Sequence, residues 1–235
     1  MARRSRSSRA STPDTDGANT SASPFAADTI DVGFGPVLAR RHRNPDRTVG
    51  GWVADSAHAE QDVWVGPNAF VLGNARVFGG ARIDGEAMVV DNARLLDGAM
   101  VDGAAVIGGD CTVGRAHVGG HARIGGRAHI DGGASISGNA TVKGEARVLG
   151  AVVVDDEASV AGRAWLSGGK VTGSAQVSGD ATVLAGMVIG EATGMVTASS
   201  IELARPETSD DQVDLEVALA ELDFDLPPFD EALTD

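Results

Sequence analysis

Three histidines lie close together in the run AHVGGHARIGGRAH, and they are the side chains of this chain best suited to chemistry. They are His117, His121 and His129, and His58 lies far upstream. Three converging imidazoles bind zinc, and a single imidazole acts as a general base near neutral pH. The histidines therefore raise two possible activities, metal-assisted catalysis and acyl transfer, and the choice depends on how the fold arranges them.

A six-residue period predicts the elements that position these histidines. From 57 to about 190 the chain follows hexads of the form A-x-[VIL]-x-[GD]-x, such as ARVFGG, ARIDGE and ATVKGE. Positions one and three of a short strand point to one side and are apolar here, while positions two and four point to the other and vary. Three hexads closing into a coil of about eighteen residues would stack at roughly 4.8 Å. We therefore predict an all-β parallel β-solenoid.

The hexads resemble those of hexapeptide-repeat proteins, which form the trimeric LpxA-like superfamily of single-stranded left-handed β-helices. More narrowly, VGGWVADSAHAEQDVWVGPNAFVLGNARV and the preceding GPVLARRHRNPDRT resemble a family of bacterial and phage hexapeptide-repeat proteins. Those proteins open with a short β element and a Gly-Gly-Trp block. The match covers residues 37 to about 190 and implies a left-handed coil. Because the repeat itself defines architecture, it carries little information about chemistry.

The spacing of the histidines departs from the zinc carbonic anhydrases of the hexapeptide class. Enzymes of that class have two histidines five positions apart and a third histidine upstream. Here His117 and His121 are four positions apart, and His129 lies downstream of both. The hexad register also places His117 and His129 on different faces. We predict no metal site and no cofactor, and we keep His117 and His129 as candidate bases for an acyltransferase-like alternative.

Four segments follow from composition and charge. Residues 1–28 are basic and rich in serine, and we predict a disordered tail; 29–56 are an initial β element and N-terminal cap; 57–194 are the solenoid. Residues 195–235 are an acidic tail with a short amphipathic helix, whose apolar residues are Val213, Val217, Leu222 and Phe224. Cys111 takes a repeat position otherwise held mainly by alanine, so we predict a small buried side chain.

Charge and hydropathy exclude several classes of partner. The net charge is −14, and the four arginines near the N-terminus are not interleaved with aromatic residues, which argues against nucleic acid. No apolar run reaches the length of a transmembrane helix, and no secretory signal follows the basic start. We expect a cytoplasmic protein with no membrane partner.

One outward surface of the predicted solenoid combines basic and apolar residues. Stepping by eighteen residues, or seventeen across the shortened units CTVGR and KVTGS, aligns position-two residues of successive coils in one column. We predict an interaction face formed by Arg76, Phe78, Arg94, Leu96, Arg147, Leu149 and Trp165. It is suited to the acidic helix of its own or a neighbouring solenoid, or to another protein partner.

These observations favour a noncatalytic structural or interaction protein, in which a rigid β-solenoid self-associates or presents a face and its tails to protein partners. The first alternative is a hexapeptide-class acyltransferase that works as a trimer. The second is a cytoskeletal-type filament built by end-to-end strand pairing.

Overall fold

A computed structural model of the chain describes residues 25–33, 35–188, 191–192 and 195–196. All of them lie in the first of two compact units, Met1–Ala204. Their regular secondary structure is β throughout, and none of them belongs to a helix capable of crossing a membrane. The predicted C-terminal helix with Val213, Val217, Leu222 and Phe224 lies outside the described residues, as does most of the predicted tail 1–28.

The described strands form three sheets along a β-solenoid. Sheet A has the order β1 (Asp28–Asp31), β2 (Pro36–Arg43), β3 (Val49–Ala54), β6 (Phe70–Val71), β9 (Met88–Val89), β12 (Val106–Ile107), β15 (Arg123–Ile124), β18 (Thr141–Val142), β21 (Ser159–Val160), β24 (Gln176–Val177) and β27 (Glu191–Ala192). Sheet B has the order β4 (His58–Ala59), β7 (Arg76–Val77), β10 (Arg94–Leu95), β13 (Thr112–Val113), β16 (His129–Ile130), β19 (Arg147–Val148), β22 (Trp165–Leu166), β25 (Thr182–Val183) and β28 (Met195–Val196). Sheet C has the order β5 (Trp64–Val65), β8 (Arg82–Ile83), β11 (Met100–Val101), β14 (His117–Val118), β17 (Ser135–Ile136), β20 (Val153–Val154), β23 (Lys170–Val171) and β26 (Met187–Val188).

The strands of successive coils pair in parallel, which confirms the predicted solenoid. Arg76 pairs with Arg94 and Arg94 with Thr112, eighteen residues apart, and Thr112 pairs with His129 after seventeen. The shortened unit at Cys111 therefore lies where the sequence predicted it. The second one does not, because Lys170 is the first residue of β23 and takes position two, paired with Val153. The shortened unit is 164–168, and Gly169 rather than Lys170 occupies position one.

The core is a narrow column of alanines and branched aliphatic residues. From 63 to 183, the alanine, valine, isoleucine and leucine side chains at positions one and three are no more than 7% exposed. Cys111 takes position one of its coil and is fully buried, as predicted. Ala59 differs, because it stands where the following coils place valine, isoleucine or leucine, and it is only partly buried. The first coil is thus less filled than those above it.

Residues in the left-handed conformation form the corners of the coils. Gly85 has a φ of 64°, and a Cβ there would lie 2.5 Å from the carbonyl oxygen of Gly103 in the next coil. Asp91, Asp97 and Asp156 adopt a similar φ of 58°, 52° and 58°. Glycine and aspartate therefore occupy corners because these conformations and the close stacking of coils exclude most larger side chains.

A three-stranded meander extends sheet A beyond the first coil. β1 pairs antiparallel with β2, β2 pairs antiparallel with β3, and β3 pairs parallel with β6. Two side chains from β2 and its following turn reach the first strand of sheet C. The His42 Nε2 donates to the Val63 carbonyl over 2.9 Å, and the Val65 amide donates to the Asn44 Oδ1 over 2.9 Å. The N-terminal edges of sheets A and C are therefore both covered.

Candidate interaction face

The outward side of sheet B, called face B below, carries the predicted column in the predicted register. Neighbouring strands align its position-two residues in the order His58, Arg76, Arg94, Thr112, His129, Arg147, Trp165 and Thr182. Phe78, Leu96 and Leu149 follow these strands at position four and are half-buried. All seven residues predicted for the interaction face thus lie in the strands of sheet B or directly after them.

The guanidinium groups of face B are exposed and have no ion partner within the described part of the chain. Arg76, Arg94 and Arg147 are exposed, and the salt bridges found there involve other cations. The Asp131 carboxylate on this face instead accepts the amides of Arg115 and Gly132 at a corner. Arg76 and Arg94 are neighbours in adjacent strands, where like charges repel. Face B therefore presents uncompensated positive charge.

Two adjoining clefts flank Arg147 at the C-terminal half of face B. One has a volume of about 440 Å³ and is lined by Arg127, His129, Glu145, Arg147 and Leu149. The other has a volume of about 300 Å³ and is lined by Glu145, Arg147, Arg163, Trp165 and Thr182. Trp165 is 47% exposed beside them. Exposed tryptophan and arginine next to shallow clefts are typical of residues that dominate protein interfaces.

Polar pairs run along the corner between sheets A and B. Asn74 donates to Asn92 over 3.3 Å, and Asn92 donates to Asp110 over 2.8 Å. Farther along, the pairs are Arg127 with Glu145 at 3.4 Å and Arg163 with Asp180 at 2.7 Å. These side chains at the corner therefore bond to one another, whereas the arginines beside them on face B have no ion partner in the described ranges.

The outward side of sheet C, called face C, pairs its charges internally. The Arg82 guanidinium lies 2.6 Å from Asp84 and 4.8 Å from the Trp64 ring centroid. The Lys170 ammonium lies 2.9 Å from Asp155. Although Asp84 and Asp102 follow paired strands, each binds a different neighbour, and no cluster of three metal-ligating side chains occurs within the described ranges. Face C is electrostatically self-compensated.

His117 and Asp102 form the arrangement on face C that most resembles a catalytic pair. The His117 Nε2 lies 2.9 Å from the Asp102 carboxylate in the preceding coil. Gly119 makes this possible, because a Cβ there would lie 2.5 Å from Asp102 and 3.1 Å from the imidazole. An imidazole oriented by a carboxylate can act as a general base. Both side chains are substantially exposed, however, so the pair is also an ordinary surface salt bridge.

The remaining predicted chemical groups are separated by the fold. His129 lies on face B, His117 on face C, and His121 at a corner before β15. The predicted placement of His117 and His129 on different faces is therefore confirmed. Burial raises the pKa of Cys111 to about 12, so its thiol stays protonated and unreactive near neutral pH.

The outward side of sheet A carries an apolar column that was not predicted from the sequence. Trp52, Phe70, Met88 and Val106 align in consecutive strands, and all four are half-buried. The Arg41 guanidinium lies 4.3 Å from the Trp52 ring centroid at one end. The same step of eighteen residues that aligned face B would have aligned these residues as well.

Comparison with known proteins supports the architecture. A family model described as the YdcK beta solenoid repeat matches residues 175–191. This segment is about one coil and contains β24, β25 and β26. The chain is therefore similar to a β-solenoid repeat protein over that coil. No curated protein matches the chain in sequence.

Proposed function

We propose that the chain is a noncatalytic scaffold whose rigid β-solenoid binds an acidic protein surface through face B. The observation that carries the proposal is the column of exposed arginines that have no ion partner among the described residues, set beside half-buried apolar side chains. Arginine forms paired hydrogen bonds with carboxylates, and apolar neighbours exclude water from such contacts. Face B is therefore complementary to an acidic, amphipathic partner.

A second copy of the chain carries a suitable partner sequence. Residues 202–235 contain twelve carboxylate side chains and one arginine, so they account for −11 of the net charge of −14. The amphipathic pattern with Val213 and Val217 adds apolar residues to this charge. A homo-oligomer in which the tail of one copy lies on face B of another would supply both the carboxylates and the apolar side chains that complement face B.

The test is the association of the full chain, measured by sedimentation. Replacing Arg94 and Arg147 with glutamate reverses two charges of the column, and we expect the association constant to fall at least about tenfold. The association of the unaltered chain should also weaken between about 0.01 M and about 1 M salt, because the Debye length shrinks from about 30 Å to about 3 Å.

Arg123→Glu is the matched control. Arg123 is also an exposed position-two arginine, but it lies on sheet A. If Arg123→Glu weakens association as much as Arg94→Glu alone does, association depends on net charge and the assignment to face B is wrong. Removing Arg205–Asp235 tests the identity of the partner, because association that survives the truncation requires another acidic surface.

The N-terminal end of the solenoid argues against a filament built by direct stacking of coils. Stacking one coil directly on another copy requires free strand edges on all three sheets. At this end β1 and β2 extend sheet A, while His42 and Asn44 bond to the first strand of sheet C. These elements obstruct direct coil-on-coil stacking.

The acyltransferase alternative rests on His117 and its contact with Asp102. An oriented imidazole on face C is a suitable general base if another subunit completes the site. A thermal-shift titration with acetyl-coenzyme A tests this alternative. A saturable shift that His117→Gln abolishes favours the enzyme, whereas an unchanged melting temperature at millimolar ligand argues against it.

A further inference from the structure

The first strand of sheet B has an open edge. In the second coil the Ala75 and Val77 carbonyls accept the amides of His58 and Glu60 over 2.9 and 3.1 Å. The equivalent carbonyls of the first coil belong to Ala57 and Ala59, and no donor bonds to them within the described part of the chain. Of the three N-terminal sheet edges, only that of sheet B lacks a cover there.

A cavity of about 560 Å³ lies over this open edge. Its floor includes Val53, Ala54, Ala57 and Ala59, and β2 supplies consecutive basic residues 40–43 to its lining. The small side chain of Ala59 leaves unfilled the space that valine, isoleucine or leucine takes in the following coils. The floor is therefore apolar and lies beside the Ala57 and Ala59 carbonyls, which no donor of the described residues reaches.

The cavity lining has an excess of positive charge. The Arg40 guanidinium pairs with Asp55 at 2.7 Å, whereas Arg41 donates to backbone carbonyls and Arg43 lies 5.6 Å from the Phe25 ring centroid. The residues that line the cavity thus include three arginines and one carboxylate, although the Arg41 guanidinium itself lies against Trp52. An occupant that pairs with the strand edge, places apolar side chains on the floor and brings carboxylates to the arginines would satisfy the whole site.

We propose that the occupant is residues 222–226 of a second copy, bound as an added β-strand on β4. Their sequence LDFDL alternates apolar and acidic residues with the two-residue period of a strand that has one buried side. Phe224 would lie over Ala59, and Asp223 and Asp225 would face the arginines. The N-terminal segment before Phe25 is less suitable, because its four arginines have the same sign as the cavity.

This contact joins two different surfaces, the tail of one copy and the N-terminal end of the next. Such heterologous contacts build open chains unless a ring closes. It goes beyond the proposed function of face B, and its failure would leave that function intact. It also shortens the helix predicted from the 3.6-residue pattern, which would then end before Leu222.

Two full-length variants test the proposal by complementation. Ala59→Val adds two methyl groups at the place where Phe224 would lie. Valine is the residue that most other coils use at this position, so the fold is expected to tolerate it. Phe224→Ser removes the apolar anchor of the tail. We expect each variant alone to lose the concentration-dependent chain growth of the unaltered protein in sedimentation velocity. An equal mixture should form pairs, because one variant retains the tail and the other retains the edge.

A peptide experiment provides a direct readout on the full-length Phe224→Ser protein. A labelled peptide LAELDFDLPPF, residues 219–229, should bind saturably, and a peptide with the alternation scrambled to LDDFL should bind at least about tenfold more weakly. The proposal is overturned if the mixture of variants associates no more than either variant alone, if either variant alone assembles like the unaltered chain, or if both peptides bind equally. Arg94→Glu should leave the binding of both peptides unchanged, which separates the edge from face B.

Discussion

Faces B and C are built on the same core and the same repeat, but they treat charge in opposite ways. On face C, Arg82, His117 and Lys170 each lie within 2.9 Å of a carboxylate oxygen. On face B, Arg76 and Arg94 stand side by side, with no ion partner in the part of the chain that the structure describes. Because inward residues maintain the solenoid, outward residues are free to compensate charge on one face and leave it available on another.

The same two sheets differ at the N-terminal end of the solenoid. The first strand of sheet C bonds to His42 and Asn44, whereas the first strand of sheet B faces a cavity. Among the described residues, internal pairing thus stops on face B and at the first strand of sheet B, and these are the places where we expect a partner to bind.

Loss of the Asn44 side chain should weaken the covered end of sheet C. Asn44 is 3% exposed, and its Oδ1 is the acceptor for the Val65 amide. Asn44→Ala leaves that amide unsatisfied, so we expect the free energy of unfolding to fall by about 1–3 kcal/mol. Urea denaturation measures the change. Asn68→Ala, at an exposed turn, is the matched control and should change stability by less than about 0.5 kcal/mol. Equal effects would mean that the cover contributes nothing.

Acidification should weaken the same end through His42. Burial lowers the pKa of His42 below its usual value of 6.5, against the opposing hydrogen bond with the Val63 carbonyl. The unfolded chain therefore binds this proton more readily than the folded protein does. The contribution of His42 to stability is complete above pH 6.5 and is lost as the pH falls from there through the lower folded-state pKa.

Unfolding experiments between about pH 7.5 and about pH 5 measure this loss, because this interval brackets the usual histidine pKa of about 6.5. His42→Gln keeps a side-chain donor for Val63 but does not titrate, so part of the pH dependence should disappear. His121→Gln, at an exposed corner, serves as the control. If both variants retain the same pH dependence as the unaltered chain, burial of His42 is not its source.

Single charge removals on the two faces should have small effects of opposite sign. Asp102→Asn removes the partner of His117, and because both side chains are exposed we expect a loss of only about 0.2–1 kcal/mol. Arg94→Gln relieves repulsion with Arg76, so we expect a gain of about 0.2–0.5 kcal/mol. Thermal unfolding at low salt measures both. Effects of the same sign, or effects that persist in about 1 M salt, would contradict the electrostatic difference between the faces.

The hexads made much of the fold and the candidate face predictable. A six-residue period with apolar positions one and three determines which side of each strand is buried, and the coil length then aligns Arg76 with Arg94 and Arg147 with Trp165. Lys170 was misplaced by one residue, because glycine occurs at both position one and the corners and so blurs the boundary between units.

The repeating part, namely the β-solenoid, its buried residues and the composition of its faces, follows from the order of residues alone. Where the repetition ends is visible only in the folded chain. The contacts of His42 and Asn44 with sheet C join residues about twenty positions apart outside any repeat, and the placement of the His117 ring over Gly119 depends on side-chain direction. A period predicts backbone register because register recurs, but a single contact at one end occurs once and leaves no periodic trace in the sequence.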